Sequence, residues 1–566
     1  MNRSQTIVHY QENPEIDVLI IGAGINGSGT FRDLALQGVD VLLVERDDMC
    51  AGASSASSHM VHGGIRYLEN GEFRLVREAV KERNRLIKNA PHYVHPLPTT
   101  IPIFKWGSGL LNAPLKFLQL LERPSERGAI VIKLGLMMYD AYTGGTGTVP
   151  KHDFNMRSQS LAKFPQLNPD ILCTATYYDA AMPSPERICM EVILDGVAAH
   201  EGANFLNYMP AVGAEGGWVT LRDRETEQEV RVKPRLVINA AGPWIDLANK
   251  ALGTKTKMMG GTKGSHIVVD NQILRDALQD NEIFFENEDG RIVLVYPFKD
   301  KVLIGTSDIR IEDPDEARCT PEEIDYFLGL VKKVFPEIEV TTEQIVFRFS
   351  GVRPLPYSDA KRAGQISRDH SIEEVPAGTD GLDFPIYALV GGKWTTFRAF
   401  SEQTANKTLS FLGKQRIMST EEMAIGGGRG YPMTEPTRRT WLRQQAERTG
   451  VDEERLAVLF ERYGTRAAAV ADYIGAQAER DRPLVAKGDF SRHEIAFLAE
   501  HEHVRHLDDL LLRRSLLGML GFITKELVDE VMAIVAPILG WDEARVVAEN
   551  GRLRQLLHDE HALTLE

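Results

Sequence analysis

Gly22, Gly24 and Gly27 stand in the spacing GxGxxG within GAGINGSG, between a run of apolar β-formers and a stretch of helical character. In that setting each glycine has a distinct use. The first permits the tight turn, the second lets backbone approach a pyrophosphate, and the third allows close packing of helix on strand. The helix N-terminus adds unpaired N–H groups and favours negative charge. Glu45, about 20 residues further on at the end of the next apolar run, is placed to accept hydrogen bonds from ribose hydroxyls. The chemistry is dinucleotide binding, and the loop alone leaves FAD and NAD both open.

These residues require a strand, a helix and a second strand to position them. Asp17–Ile21 (DVLII) reads as a buried parallel strand, residues from about Asn26 to Gln37 as the helix, and Val41–Val44 as the next strand. That unit opens a doubly wound sheet. Glu72–Ala90 has apolar residues at helical spacing among charges (Phe73, Val76, Val80, Leu86) and predicts a surface helix. Further strands are expected at Trp218–Arg222, Arg235–Asn239, His266–Val269, Arg291–Tyr296 and Lys301–Ile304, giving a sheet-rich middle suited to a substrate pocket. The Gly, Pro and Thr run near Gly426–Gly428 predicts a boundary, beyond which the pattern is almost wholly helical.

At 566 residues the chain is too long for one ordinary core. Its 65 basic and 80 acidic residues give a net charge of −15, which excludes a general nucleic-acid footprint and requires any anion to be held by a local basic pocket. The four cysteines, Cys50, Cys173, Cys189 and Cys319, include no CxxC pair, so neither a disulfide framework nor a zinc knuckle is expected and a reducing cytoplasm is the default compartment. No apolar run has the roughly 18–20 residues of a bilayer span, and the polar start lacks a signal peptide's apolar stretch. The C-terminal HEHVRH breaks HExxH at Arg505, so His503 and His506 are expected on the surface and no metal is assigned.

Ala53–Leu68 (ASSASSHMVHGGIRYL) strongly resembles the SSxSSxxxHGGxRYL signature of the FAD-dependent, respiratory, quinone-linked glycerol-3-phosphate dehydrogenase family. Four more blocks recur in family order: NAAGPW (239–244), TKGSHIVV (262–269), SGVRPL (350–355) and GGKWTTFR (391–398), and the tail HEHVRHLDDLLLRR (501–514) also resembles that family. The resemblance implies a Rossmann-like FAD-binding domain of the glutathione-reductase/D-amino-acid-oxidase type, built from discontinuous segments, with an antiparallel substrate sheet and a C-terminal α-helical domain. The expected limits are 16–425 for the oxidoreductase domain and 437–555 for the helical one.

The resemblance also places residues. Ser54, Ser55 and Ser57 would lie beside the pyrophosphate and flavin, His62, Gly63 and Gly64 along the ring, and Gly242 and Thr395 in the cofactor set. Gly391, Gly392 and Lys393 precede an expected helix whose N-terminal amides would face the flavin N1–O2 edge. Arg353 and Arg368 would meet a substrate phosphate, with Arg66, Tyr67 and Lys393 near its hydroxyl end. Hydride loss from a C2 alcohol needs a base, and His62 is the chosen one, with Arg353 serving electrostatically. Glycerol 3-phosphate and a quinone are the implied partners, and a homodimer is compatible with the resemblance. Basic and apolar residues between Lys105 and Arg127 suggest peripheral contact with the cytoplasmic face of a membrane.

SPERI (184–188) replaces the family's usual DDARL-like run, and Ala53 and His59 replace an expected Thr and Lys. These departures bring in a related substrate such as erythritol phosphate. An oxidase of the same fold using O2, a non-catalytic flavin-binding regulator and an NAD-linked dehydrogenase are the rivals. The regulator leaves the retained pocket cations unexplained, and the last leaves HGGIRYL and GGKWTT without a role.

Overall fold

A computed structural model describes residues 2–65, 72–106, 129–143, 148–286, 292–358, 369–477 and 479–565. Its first sheet runs in the strand order Ser371–Val375, Ile386–Val390, Glu229–Asn239, Glu15–Ile21, Val41–Val44, Ala203–Leu206. Every pairing along this order is parallel except that of the first strand. Val18, Leu19 and Ile20 are fully buried, as a central parallel strand with helices on its faces must be. Helices Ile25–Leu36, Pro185–Ala199 and Phe397–Leu412 pack together against the sheet. Residues separated by more than 350 positions therefore share one Rossmann-like layer.

Among the described residues the second sheet has ten strands, including His95–Ile103, Cys173–Ala181, Thr262–Val269, Glu282–Glu286, Ile292–Phe298, Lys301–Gly305 and Ile345–Arg353. It is antiparallel apart from the pairing of Glu282–Glu286 with His95–Ile103. Helices from Glu435 to His561 form the C-terminal part around Leu459, Ile495, Leu507, Leu511, Val531 and Leu557.

The helix expected on the surface, found at Phe73–Asn89, is instead largely enclosed. Glu82, Arg83, Asn84 and Arg85 are all buried. Arg398 forks onto Glu82 at 2.6 and 2.9 Å, Arg85 pairs with Glu82 and Glu421, and Arg83 reaches Asp179. Charge at Glu82, Arg83 and Arg85 marks internal ion pairs, whereas Arg74, Arg77, Lys81 and Lys88 face solvent as the periodicity implies.

Of the tail histidines expected on the surface, His506 is buried and His503 is half-buried. His503 is held near pKa 4 by burial, with Arg514 and Arg505 adding to the effect. His506 lies between Glu225 Oε1 (3.0 Å) and Glu549 Oε1 (2.7 Å), joining the turn after Trp218–Arg222 to the last helix. Burial opposes its charge, but the two carboxylates outweigh that and raise it to about 9. A pKa above the unfolded value means stability fully present below about pH 6.5 and lost as pH rises to about 9, an effect of up to about 3 kcal/mol. Thermal melts of wild type should fall over that window, and His506→Gln should flatten the dependence. An equal slope in both would contradict the assignment.

Candidate active site at the junction of two clefts

The glycine loop leaves the first strand at the sheet's carboxyl edge. Gly22 has φ +104°, and a Cβ on Gly27 would stand 1.9 Å from the Gly22 carbonyl oxygen, so the helix closes on the loop only with glycine there. Ile25 N–H donates to Ser54 Oγ at 3.0 Å, bringing the serine-rich loop over the helix N-terminus. Glu45 is fixed at the next strand end by Ala23 N–H (2.7 Å) and Asp47 N–H (3.1 Å). Burial and then Asp47 push its carboxyl up to about 7 against those amides and Arg46.

A cleft of about 640 Å³ runs past Gly22, Gly24, Glu45, Ser54, Ser55 and Gly242 to Gly392 and Lys393, within the usual range for ligand sites. Asn26 Oδ1 is buried in its wall without a hydrogen-bond partner among the described residues. The far end is the turn Gly391–Gly392, with φ +80° and +97°. It leads through Trp394–Thr396 into the helix Phe397–Leu412. Trp394 Nε1–H donates to the Ser54 carbonyl at 2.8 Å and ties this turn to the serine loop. A helix N-terminus for a pyrophosphate, an acid at the ribose position, an unmet buried acceptor and a second glycine turn together fit an elongated flavin dinucleotide.

A second cleft, about 250 Å³, shares Gly392, Lys393 and Trp394 with the first and is also lined by Ser57, His62, His266, Arg353, Gly391 and Thr395. Arg353 ends the strand Ile345–Arg353. Its guanidinium donates to Thr306 Oγ1 (3.0 Å), the Ser307 carbonyl (2.8 Å) and Asp308 Oδ1 (3.2 Å), which fixes the direction of its fork. His266 is neutral: burial depresses it far below 6.5, and Arg353 and His59 add to this.

His62 stands at the mouth of this cleft with 42% of its side chain exposed and Nδ1 3.4 Å from Asp179 Oδ2. Its backbone carbonyl accepts from Thr395 Oγ1 at 3.0 Å. Asp179 is buried and accepts from Gly63 N–H (2.7 Å), Tyr139 O–H (2.9 Å) and Arg83 (3.3 Å). Burial opposes its charge, yet His62, Arg83 and Gly63 N–H hold its pKa below the ordinary value. Burial likewise opposes a charged His62, but Asp179 and then Glu282 outweigh it and Lys393, so the imidazole pKa lies above 6.5.

Thus Gly22, Gly24, Glu45, Ser54, Ser55 and Gly242 face one cleft, Ser57, His62, Arg353, Gly391 and Thr395 the other, and Gly392 and Lys393 both. Gly27 and Gly63 act through packing and a backbone hydrogen bond, and Gly64 continues the turn at φ +78°. Arg66, Tyr67 and Arg368 lie outside the described residues, as does most of the segment expected at a membrane. Asp179 was not among the residues expected from sequence. Its signal is a lone carboxylate inside the otherwise buried strand CTATYYDAA.

The SPERI departure falls elsewhere than expected. Among the described residues, none of 184–188 lines the smaller cleft. Arg187 forks onto Glu502 of the C-terminal part, with Nη2 3.0 Å from Oε1. Glu186 is buried beside the larger cleft, and burial pushes it up to about 8 despite its own backbone N–H and Arg513. Arg187 is the position that the departure leaves unchanged, and of the changed ones Glu186 lines the larger cleft while none lines the smaller.

Sheet, glycine loop, ribose-level acid and adjoining clefts define a dinucleotide-dependent oxidoreductase. Residues 17–382 match the family described as FAD dependent oxidoreductase, and 418–546 match the C-terminal domain of alpha-glycerophosphate oxidase. The chain belongs to the FAD-dependent oxidoreductase family, and FAD is its cofactor. It is 32% identical to the glycerol-3-phosphate dehydrogenase of Synechocystis sp. over 538 residues, covering 90% of each chain. It is also 32% identical to the D-erythritol 1-phosphate dehydrogenase of Brucella abortus, covering 88% of this chain and 94% of that one. The solved glycerol-3-phosphate dehydrogenase of Bacillus halodurans, complexed with FAD, has the same fold, with TM-score 0.74 at 23% identity over 99% of this chain and 97% of that one.

Proposed function

We propose that the protein oxidises sn-glycerol 3-phosphate to dihydroxyacetone phosphate, with a quinone as final electron acceptor. One observation carries the reading: an imidazole backed by a buried, ionised carboxylate opens onto a cleft that holds Arg353 and Lys393 and joins the cofactor cleft. FAD, when bound, supplies the acceptor for the hydride that leaves C2.

This chain's residues supply the rest. With Nδ1 turned to Asp179, His62 presents Nε2 to the substrate hydroxyl and takes its proton as the O–H bond breaks. Asp179 stabilises the resulting imidazolium. Arg353 stays charged throughout and, with its fork already oriented, holds the phosphate at little cost in ordering. Arg66, Tyr67, Arg368 and Lys393 complete the substrate shell in this reading. Gly391–Lys393 and the helix they introduce hold the cofactor against the same pocket. Residues 16–425 form the catalytic unit and 437–555 a helical unit docked on it.

Quinone access is supported by helix Ala129–Thr143, on which Ile130, Leu134 and Met137 recur at helical spacing and are each more than half exposed, with Phe104 and Trp106 exposed nearby. Among the described residues no helix is long and apolar enough to cross a membrane, so peripheral attachment by such a face is the mode proposed. The match of 418–546 to an oxidase C-terminal domain favours O2 as the second reading, and the erythritol-phosphate relative favours a four-carbon substrate as the alternative. Holoenzyme turned over in air with a soluble quinone separates the acceptors. Quinone reduction well in excess of peroxide supports the proposal, whereas peroxide equal to the substrate consumed overturns the quinone assignment.

A further inference from the structure

Three adjacent strands of the second sheet bring a second carboxyl to the face beneath His62. Leu97 pairs with Asp179, Thr99 with Tyr177, and Thr99 on its other side with Glu282. Directly paired residues share a face, and residues two apart on one strand do as well. Asp179, Tyr177, Thr99 and Glu282 therefore form one row. Glu282 is completely buried. Its Oε2 accepts from Thr99 Oγ1 at 2.8 Å, while its Oε1 is buried with no hydrogen-bond partner among the described residues.

Burying a carboxylate with one oxygen unmet is costly, and a nearby imidazolium offsets part of that cost. We propose that Glu282 is a positioning residue that tunes His62 as a base, its negative charge beneath the sheet face strengthening the imidazole's hold on a proton. The inference rests on His62 being the base. It adds to the Asp179 contact, because Asp179 orients the ring through Nδ1 while Glu282 acts through space.

Among the described residues, these charged and titratable groups act on the pair. Asp179, Glu282 and Lys393 act on His62, and His62, Asp179, Tyr177 and Tyr296 face Glu282, with Arg83 behind Asp179. Burial pushes Glu282 up to about 7, with His62 and Thr99 pulling down and Asp179 pushing up. Two groups coupled in this way lose their protons in shared steps, so an imidazolium at His62 favours an ionised Glu282, and the reverse.

The test is the titration of His62 in holoenzyme carrying 15N-labelled histidine, its signals assigned by their absence in His62→Asn. Glu282→Gln should lower the His62 pKa by about one pH unit, move the acid limb of kcat the same way, and reduce the plateau rate a few-fold as the base weakens. FAD content and KM should stay unchanged. Thr99→Val, which removes the hydrogen bond favouring ionised Glu282, should move the titration in the same direction by less. It decides the matter if Glu282→Gln does not fold. A His62 titration unmoved in a folded variant overturns the proposal. The NMR readout does not depend on His62's role in turnover, so full activity in His62→Asn would separately overturn the base assignment.

Discussion

Replacing His62 with Asn is expected to slow anaerobic reduction by substrate about 10²- to 10⁴-fold, the usual contribution of a positioned general base. The amide keeps a polar group at the cleft mouth and a donor for Asp179, but has no basic nitrogen at the Nε2 position. Bound FAD should be retained, because the 640 Å³ cleft that would hold the cofactor does not include His62. In the wild type the rate should fall on the acid side, since a protonated imidazole accepts nothing. That limb should lie above pH 6.5, because Asp179 and Glu282 outweigh burial and Lys393. A variant with near-normal reduction, or a wild-type limb below 6.5, would remove His62 from the mechanism.

The second large effect is expected at Asp48. This buried carboxylate follows Glu45 on the loop that lines the cofactor cleft, and two arginines of the C-terminal part converge on it. Arg513 Nε stands 2.6 Å and Arg514 Nη2 2.9 Å from its oxygens, and Asn207 donates to it at 3.0 Å. Burial opposes the charge, but the two guanidiniums hold its pKa far below the carboxylate range. Arg513 has Asp508 and Asp509 as further counter-ions, each at 2.6 Å, whereas among the described residues Arg514 donates besides only to the Glu502 carbonyl. Asp48→Asn thus removes the carboxylate that Arg514 contacts directly and leaves Asp509 acting on it through space, a loss of about 3 kcal/mol. Calorimetry should show a lowered melting transition, and FAD should dissociate more readily because the same loop frames its cleft. An unchanged melting temperature would mean that the junction contributes little.

The readable parts of the chain were those where local pattern and tertiary role coincide. The strand Val41–Val44 has the boundaries its apolar run implies, and Trp218–Arg222 likewise. The glycine loop was legible because its backbone geometry requires glycine, as the 1.9 Å approach at Gly27 demonstrates. Polar residues inside the structure were not legible. The helix Phe73–Asn89 carries charges that pair across to residues more than 300 positions away, and periodicity reads those charges as solvent-facing. His506 was misread for the same reason, since its carboxylate partners come from Glu225 and Glu549. Asp179 and Glu282 sit in strands without motifs, and only the sheet register brings them together beneath His62.

The most direct test is the anaerobic visible spectrum of purified holoenzyme before and after sn-glycerol 3-phosphate, with erythritol 4-phosphate and unphosphorylated glycerol added in parallel. The account predicts rapid bleaching of the flavin band by glycerol 3-phosphate and none by glycerol, because Arg353 and its neighbouring cations need a phosphate to hold. Bleaching by the tetritol phosphate alone would move the substrate assignment, and a flavin reduced by none of the three would contradict the central claim.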